Sequence, residues 1–303
     1  MTELRVLKQR YLTYLETQWG GSAKMVENYD RYLERFISFA KVTRPSDITE
    51  ERVAAFRLHL VKQAGASVGG SVTPMKQTTQ NYYLTAIRMF LNYLQDEGFE
   101  TISSQQIKLA KIPNRSVEMI SSTELDRLRA VPDRKSIEGK RDRAIIELLC
   151  STGIRISELC KLSTKDINVT RNEFTVSSAQ GKKRTVFLGA AASKAMDRYL
   201  QARQDSDPAL FLRYGRKFND GGDLGIHPRA VQRMIKLHAA SAGITSKVTP
   251  QILRHTFADE LLKNGADIRS VQTLLGHVTT GATRMYVPVT NPQLPTLRKN
   301  KSN

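Results

Sequence analysis

Two arginines, a histidine and a tyrosine stand along the chain in the order Arg155, Arg254, His277, Tyr286. Together they suit the cutting of a phosphodiester without a metal. A tyrosine hydroxyl, with a pKa of about 10, is a poor nucleophile. Its attack on phosphorus needs cationic donors on the non-bridging oxygens, where charge builds up. Arginine fits that task because its planar fork grips phosphate bidentately and keeps its proton. The local sequences are Thr152-Gly153-Ile154-Arg155-Ile156-Ser157-Glu158-Leu159, Leu253-Arg254-His255-Thr256-Phe257 and Leu274-Leu275-Gly276-His277.

The elements that must position these groups are legible. Gly153 is expected to end a helix carrying Ile145, Ile146, Leu148 and Leu149. Arg155 then opens the next short helix, an end where backbone N–H groups favour anions. Glu158, one turn on, can orient its guanidinium or serve as an ordinary surface carboxylate. Thr249 and Pro250 cap a helix that sets Gln251, Arg254 and His255 on one face, with Leu253, Phe257 and Leu261 packing inward on the other. Gln251 can donate a hydrogen bond to phosphate but cannot shuttle a proton. His255 reads as a packed core histidine, with a lean into the site as the alternative. His277 follows a helix built on Ile268, Val271, Leu274 and Leu275, with Gly276 as its terminator. Nine residues later comes Tyr286, behind a segment (Thr280 to Met285) without an apolar stripe, so its hydroxyl is expected to be accessible.

The first hundred residues read as helices. Val6, Tyr11, Leu12 and Leu15 give a stripe closed by Gly20-Gly21; Ser22 caps a helix through Tyr29, Tyr32, Leu33, Phe36, Ile37 and Phe39. Thr49 opens a third through Val53, Phe56, Leu58 and Leu60, and Thr79 a fourth with Leu84, Ile87, Phe90, Leu91 and Leu94. Residues 65–74 between them are too poor in apolar side chains to fold alone. Residues 104–120 read as a basic linker, and Ser121 to Glu124 as a capping signal that starts a second domain. Alternation at Phe174-Val176 and Thr185-Phe187 around Gln180-Gly181 predicts a β-hairpin. Helices follow at 191–202, 228–242, 250–263 and 268–275.

The chain of 303 residues carries a net charge of +18. Residues 1–110 hold 14 Lys/Arg against 11 Asp/Glu, and the remainder 33 against 18, so the C-terminal part carries about +15. Such an excess is the electrostatic footprint of a phosphate-backbone binder. Cys150 and Cys160 are too few for a disulfide scaffold and are expected to be buried thiols. Neither a signal peptide nor a long apolar run is seen, which predicts a soluble intracellular protein. The five histidines and two cysteines form no zinc-ligand spacing, and no Walker loop or dinucleotide fingerprint occurs. The chemistry is expected to need no cofactor.

The constellation, in this order, resembles the tyrosine recombinases, the phage-integrase family. The resemblance covers essentially the whole chain. It is diffuse in the first part (Ser22-Ala23-Lys24 with Tyr29 and Phe36, then Thr78 to Tyr82 with Leu84 and Phe90). In the second it is motif-grade and nearest to compact Xer-like members. It implies a mainly α fold with a small β-sheet, arranged as a two-domain DNA clamp. A helical SAM-like core-binding domain at 1–103 would join, through the linker 104–120, a catalytic domain at 121–303 with a tail from about 288, where Pro288, Pro292 and Pro295 oppose a regular helix.

The resemblance also implies roles. Tyr286 would form a 3′-phosphotyrosyl link while Arg155, Arg254 and His277 hold the scissile phosphate. At position 251 most members carry histidine where this chain has Gln251. The turn Gly181-Lys182-Lys183-Arg184 matches the family's lysine-bearing hairpin, with Lys182 as general acid and Lys183 as the alternate. Lys183, Arg184, Lys111 and Arg115 would touch DNA. Partners would be double-stranded DNA at a specific site and further copies of the chain, a tetramer on two sites, in the cytoplasm on the nucleoid. No metal, ATP, membrane or small-molecule substrate is implied. A type IB topoisomerase and a DNA-binding accessory factor that has lost cleavage are the rival readings.

Overall fold

The computed structural model describes residues 2–63, 74–113, 117–168, 171–177, 181, 183–214, 224–277 and 283. The expected loop at 65–74, apart from Pro74, lies outside them. The chain divides into two compact units, Met1–Arg115 and Ser116–Asn303.

Among the described residues the first unit packs four α-helices: α1 (Glu3–Thr17), α2 (Ala23–Ala40), α3 (Glu50–Lys62) and α4 (Gln77–Asp96). Two of the starts are capped as the sequence suggests. Ser22 Oγ accepts from Met25 N at 3.3 Å, and Thr49 Oγ1 from Arg52 N at 3.4 Å. The fourth helix begins two residues before Thr79, after Lys76, which makes no side-chain cap. Leu4, Leu7, Tyr11, Leu15, Leu33, Phe36, Phe56, Leu60, Ile87, Phe90 and Leu94 form the core. Val6, Phe39 and Leu58, expected on buried stripes, lie exposed. The chain after α4 stays on this unit: Ile107 is buried in its core, and the Asn81 amide brackets the backbone of Ala110 at 2.8 and 3.0 Å.

The second unit contains α5 (Ser122–Ala130), α6 (Ile137–Thr152), the short α7 (Ile156–Leu159), and strands β1 (Ile167–Asn168), β2 (Glu173–Ser177) and β3 (Lys183–Phe187). Helices α8 (Ala190–Ala202), α9 (Pro228–Ser241), α10 (Pro250–Lys263) and α11 (Ile268–Leu275) follow. Ser121 and Glu124 make the expected reciprocal cap, Ser121 Oγ accepting from Glu124 N at 3.2 Å and Glu124 Oε2 from Ser121 N at 2.9 Å. Helix α6 is the centre, with Ala144, Ile145, Ile146, Leu148 and Leu149 fully buried against α8 and α10. The sheet is antiparallel in the order β1-β2-β3, with Phe174 paired to Val186 and Val176 to Arg184. Strand β1 adds a third strand to the predicted hairpin. Lys183 and Arg184, read as turn residues, belong to β3, because pairing of Ser177 with Lys183 carries the ladder past them. Cys150 is buried as expected, but Cys160 is only half-buried. No helix among the described residues is long and apolar enough to cross a membrane.

Candidate active site

The site grows from the end of α6. Gly153 stops that helix with φ +57°, its N–H donating to Leu149 O at 3.1 Å. A Cβ at this position would lie 2.5 Å from the Phe257 ring, so both the left-handed backbone and the close approach of α10 require glycine. Arg155 then stands at the N-terminus of α7, its backbone N–H donating to Glu158 Oε2 at 2.8 Å and its guanidinium to Glu158 Oε1 at 3.2 Å.

Glu158 does more than orient Arg155. Its side chain is 4 % exposed, and Arg184 forks onto it from β3, Nη1 to Oε1 at 2.8 Å and Nη2 to Oε2 at 2.9 Å. Burial pushes the Glu158 carboxyl up. The Arg184 fork, the Arg155 N–H and both cationic charges outweigh that and hold it below its ordinary value, as a carboxylate. Arg184 also donates through Nε to Leu274 O at 3.1 Å. The sequence reading sets Arg184 on DNA; the structure commits each of its nitrogens to the protein instead. Strand alternation carries the signal: Arg184 shares the inward face of β3 with Val186, while Lys183, Thr185 and Phe187 are exposed.

Arg254 brings the larger correction. Expected on the face of α10 opposite the inward-packing one, with Gln251 and His255, it is among the most buried side chains of the described residues, 2 % exposed. The helix is capped by Thr249, whose Oγ1 accepts from Ile252 N at 3.2 Å, and it buries Ile252, Leu253, Arg254 and Ala258. A cation survives there because backbone carbonyls meet it: Arg254 Nη1 donates to Gly153 O and Nη2 to Leu275 O at 2.6 Å. Phe257 and Leu261, expected inside, are only partly buried.

The two arginines therefore converge. Arg155 also reaches Leu275 O at 3.3 Å and Gly276 O at 3.1 Å. Three guanidiniums thus face the C-terminal carbonyls of α11, the negative end of the helix dipole. Gly276 ends that helix with φ +62°, and a Cβ there would press on the Arg184 guanidinium at 3.0 Å. His277 comes next, with Nδ1 2.9 Å from the buried Thr283 hydroxyl. Burial and the neighbouring Arg254, Arg155 and Arg184 charges push His277 down to about 4. At neutral pH it is therefore an uncharged ring, able to donate one hydrogen bond.

Gln251 is exposed at the start of α10, its Nε2 2.7 Å from His255 Nε2. An amide nitrogen only donates, so His255 accepts at Nε2 and carries its proton on Nδ1. Burial lowers the His255 pKa, against a hydrogen bond to the Glu118 backbone that raises it. His255 is thus half-buried and tied to Gln251, between the packed and the inward-leaning expectation. Lys183 lies exposed at the start of β3, and Lys111 is exposed on the first unit. Tyr286, Lys182 and Arg115 lie outside the described residues.

A model of the phage integrase family matches residues 118–292, and one of the phage integrase N-terminal SAM-like domain matches 9–98. The chain belongs to the phage integrase family. Among its relatives, a tyrosine recombinase XerC from Pelobacter propionicus is 33% identical over 93% of this chain and 90% of that protein. A tyrosine recombinase XerD from Listeria monocytogenes is 29% identical over 97% of both. A lambda integrase tetramer bound to a Holliday junction shares the fold, with a TM-score of 0.68 at 18% identity over 92% of this chain and 78% of that one. In this integrase-family chain, the stretch matched by the catalytic model contains Arg155, Gln251, Arg254, His277 and Tyr286.

Proposed function

We infer that this chain is a site-specific DNA recombinase of the tyrosine type, cutting and rejoining strands through Tyr286. The observation that carries the reading is the convergence of Arg155 and Arg254 on the last carbonyls of α11, directly ahead of His277. In this reading the Tyr286 hydroxyl gives its proton to solvent and its oxygen attacks the scissile phosphorus as the bond to the 5′-oxygen breaks. A 3′-phosphotyrosyl ester forms, and the departing 5′-oxygen takes a proton from Lys182, or from Lys183 as the alternate. Arg155 and Arg254 neutralise the charge on the non-bridging oxygens, each contributing about 3 kcal/mol, on the order of a hundredfold in rate. His277, neutral at pH 7, adds a hydrogen bond, and Gln251 another. The ester retains the energy of the broken bond, so a 5′-hydroxyl from a partner duplex reverses the step without ATP.

The partners of this reading are double-stranded DNA and further copies of the chain, a tetramer working on two sites in the cytoplasm. Residues 1–103 and 121–303 would close on the duplex, joined through 104–120. The tetrameric lambda integrase of the same fold supports the assembly, and the names of the XerC and XerD relatives favour a recombinase over a topoisomerase or a silent accessory factor.

The test is covalent capture. Incubated with nicked, pooled genomic duplexes, the protein is expected to trap one recurring sequence as a covalent adduct that denaturation does not remove. Tyr286→Phe should bind the same DNA and trap none. Adducts formed by the Phe variant would refute the assignment of the nucleophile; adducts on arbitrary sequence, with plasmid relaxation, would favour a topoisomerase.

A further inference from the structure

A second basic feature lies in the same unit, outside the candidate active site. A cleft of about 820 Å³ opens between α6 and α8. Arg134, Lys140 and Arg143 line one side, Lys194 and Arg198 the other. Arg143 is paired to Glu147 at 2.9 Å. The side chains of the other four cations make no hydrogen bond or ion pair with any described residue. One carboxylate, Asp133, stands on the rim, and it is spent on its own turn, accepting from Lys135 N and Ser136 N at 3.0 Å each. Lys194 and Arg198 repel each other at i, i+4 on α8, an arrangement that disfavours the helix when nothing compensates it.

The lining narrows the class of ligand. Ala191, Ala195 and Ala202 line the cleft from α8, so it has methyl groups where a protein partner's side chains would need larger apolar anchors. Small lining residues beside unpaired cations admit a sugar-phosphate backbone at close range. Ala191 to Ala202 spans about 17 Å at 1.5 Å per residue, room for about five successive phosphates along a duplex axis. The α8 end of the groove lies near the active site: a Cβ on Gly189 would meet Ser151 at 3.7 Å, two residues before Gly153.

We propose that the α6–α8 cleft is a second anion site of this unit, holding the phosphate backbone of one strand of the duplex flanking the cleavage point through Lys140, Lys194 and Arg198. The proposal rests on the DNA-recombinase reading. It adds a contact that fixes how far along the arm the protein grips.

Salt titration reads it directly, because phosphate contacts need no particular sequence. Random-sequence duplexes of 30 base pairs would be titrated between 50 and 200 mM salt with the wild type and with a triple variant, Lys140→Gln, Lys194→Gln, Arg198→Gln. Each lost contact flattens the slope of log K against log salt by about 0.9. The wild type should therefore lose about 40-fold more affinity than the variant over that range. Benzophenone placed at the cleft's edge by Gln201→Cys should crosslink to the duplex. Labelling goes to that position because Cys150 is buried and burial pushes the Cys160 thiol up to about 12. Equal slopes for wild type and variant, with both folded by circular dichroism, would overturn the proposal, as would a labelled protein that binds DNA without crosslinking. A wild type with no salt-dependent DNA binding at all would instead bring down the recombinase reading.

Discussion

Substituting Arg184 by Gln tests whether the Glu158 fork governs the active site. The change leaves a carboxylate whose side chain is 4 % exposed facing only Arg155 and one backbone N–H. Breaking a buried pair costs 3–5 kcal/mol when one charge is left behind. Because Arg155 remains, the low end applies, about 3 kcal/mol. The sign of the pH dependence follows from Glu158. In the wild type its folded pKa lies below the ordinary 4.5, so its contribution is present above that pH and fades as pH falls through the folded value. Without Arg184 the largest influence that lowers the Glu158 pKa is lost, and the folded pKa rises from its wild-type position. The carboxylate then stabilises the fold less at neutral pH than in the wild type, and acidification relieves the loss. Thermal melts from pH 8 to pH 3 should show the variant's deficit constant at neutral pH and narrowing as acid protonates the carboxylate. Adding Glu158→Gln should return about 2 kcal/mol, since no unpaired charge is then buried. Single-turnover cleavage of a captured site should fall ten- to a hundredfold in Arg184→Gln, because Arg155 loses its fixed anchor and a misplacement of about 1 Å costs that much. A deficit that stays flat with pH, or a double variant as unstable as the two single losses added, would refute the reasoning.

His277, pushed down to about 4, must shed its proton on folding, so stability should fall as pH drops from 6.5 toward 4; His277→Gln should flatten that limb in the same melts. Gln251→Ala should slow cleavage about tenfold, about 1.4 kcal/mol, and Gln251→His should leave it similar or modestly faster in single-turnover assays. An inactive but well-folded His255→Ala beside a near-normal Gln251→Ala would give His255 the larger role. Gly153→Ala forces a left-handed alanine into the Phe257 ring, and calorimetry should read a loss of about 3 kcal/mol.

Much of this was legible in the chain because local chemistry decides it. Ser22, Thr49, Ser121 and Thr249 cap helices with their own side chains, and Gly153 and Gly276 end helices in the left-handed region. What escaped depends on tertiary context. Strand β1 is two residues long and exists through its pairing with β2, so no periodicity announces it. Helical spacing places Arg254 on one face with its polar neighbours Gln251 and His255, away from the packing face. The carbonyls of Gly153 and Leu275 that draw it inward come from distant segments. Arg184 reads as a DNA-contacting cation of the turn, since its partner Glu158 lies 26 residues away in sequence.

The shared acceptor at Leu275 has a consequence for control. One carbonyl oxygen receives both Arg155 and Arg254, and the residue two places on is His277. The three groups consequently hang from a single peg, the last turn of α11, which is seated by Val271 and Leu275 against Ala258. A shift or partial unwinding of that turn would disorganise both guanidiniums and the imidazole in one event. Intermediate activities should then reflect a mixture of fully competent and fully silent molecules, so loosening the seat with Val271→Ala would lower the fraction that cleaves while leaving the rate of the cleaving fraction unchanged.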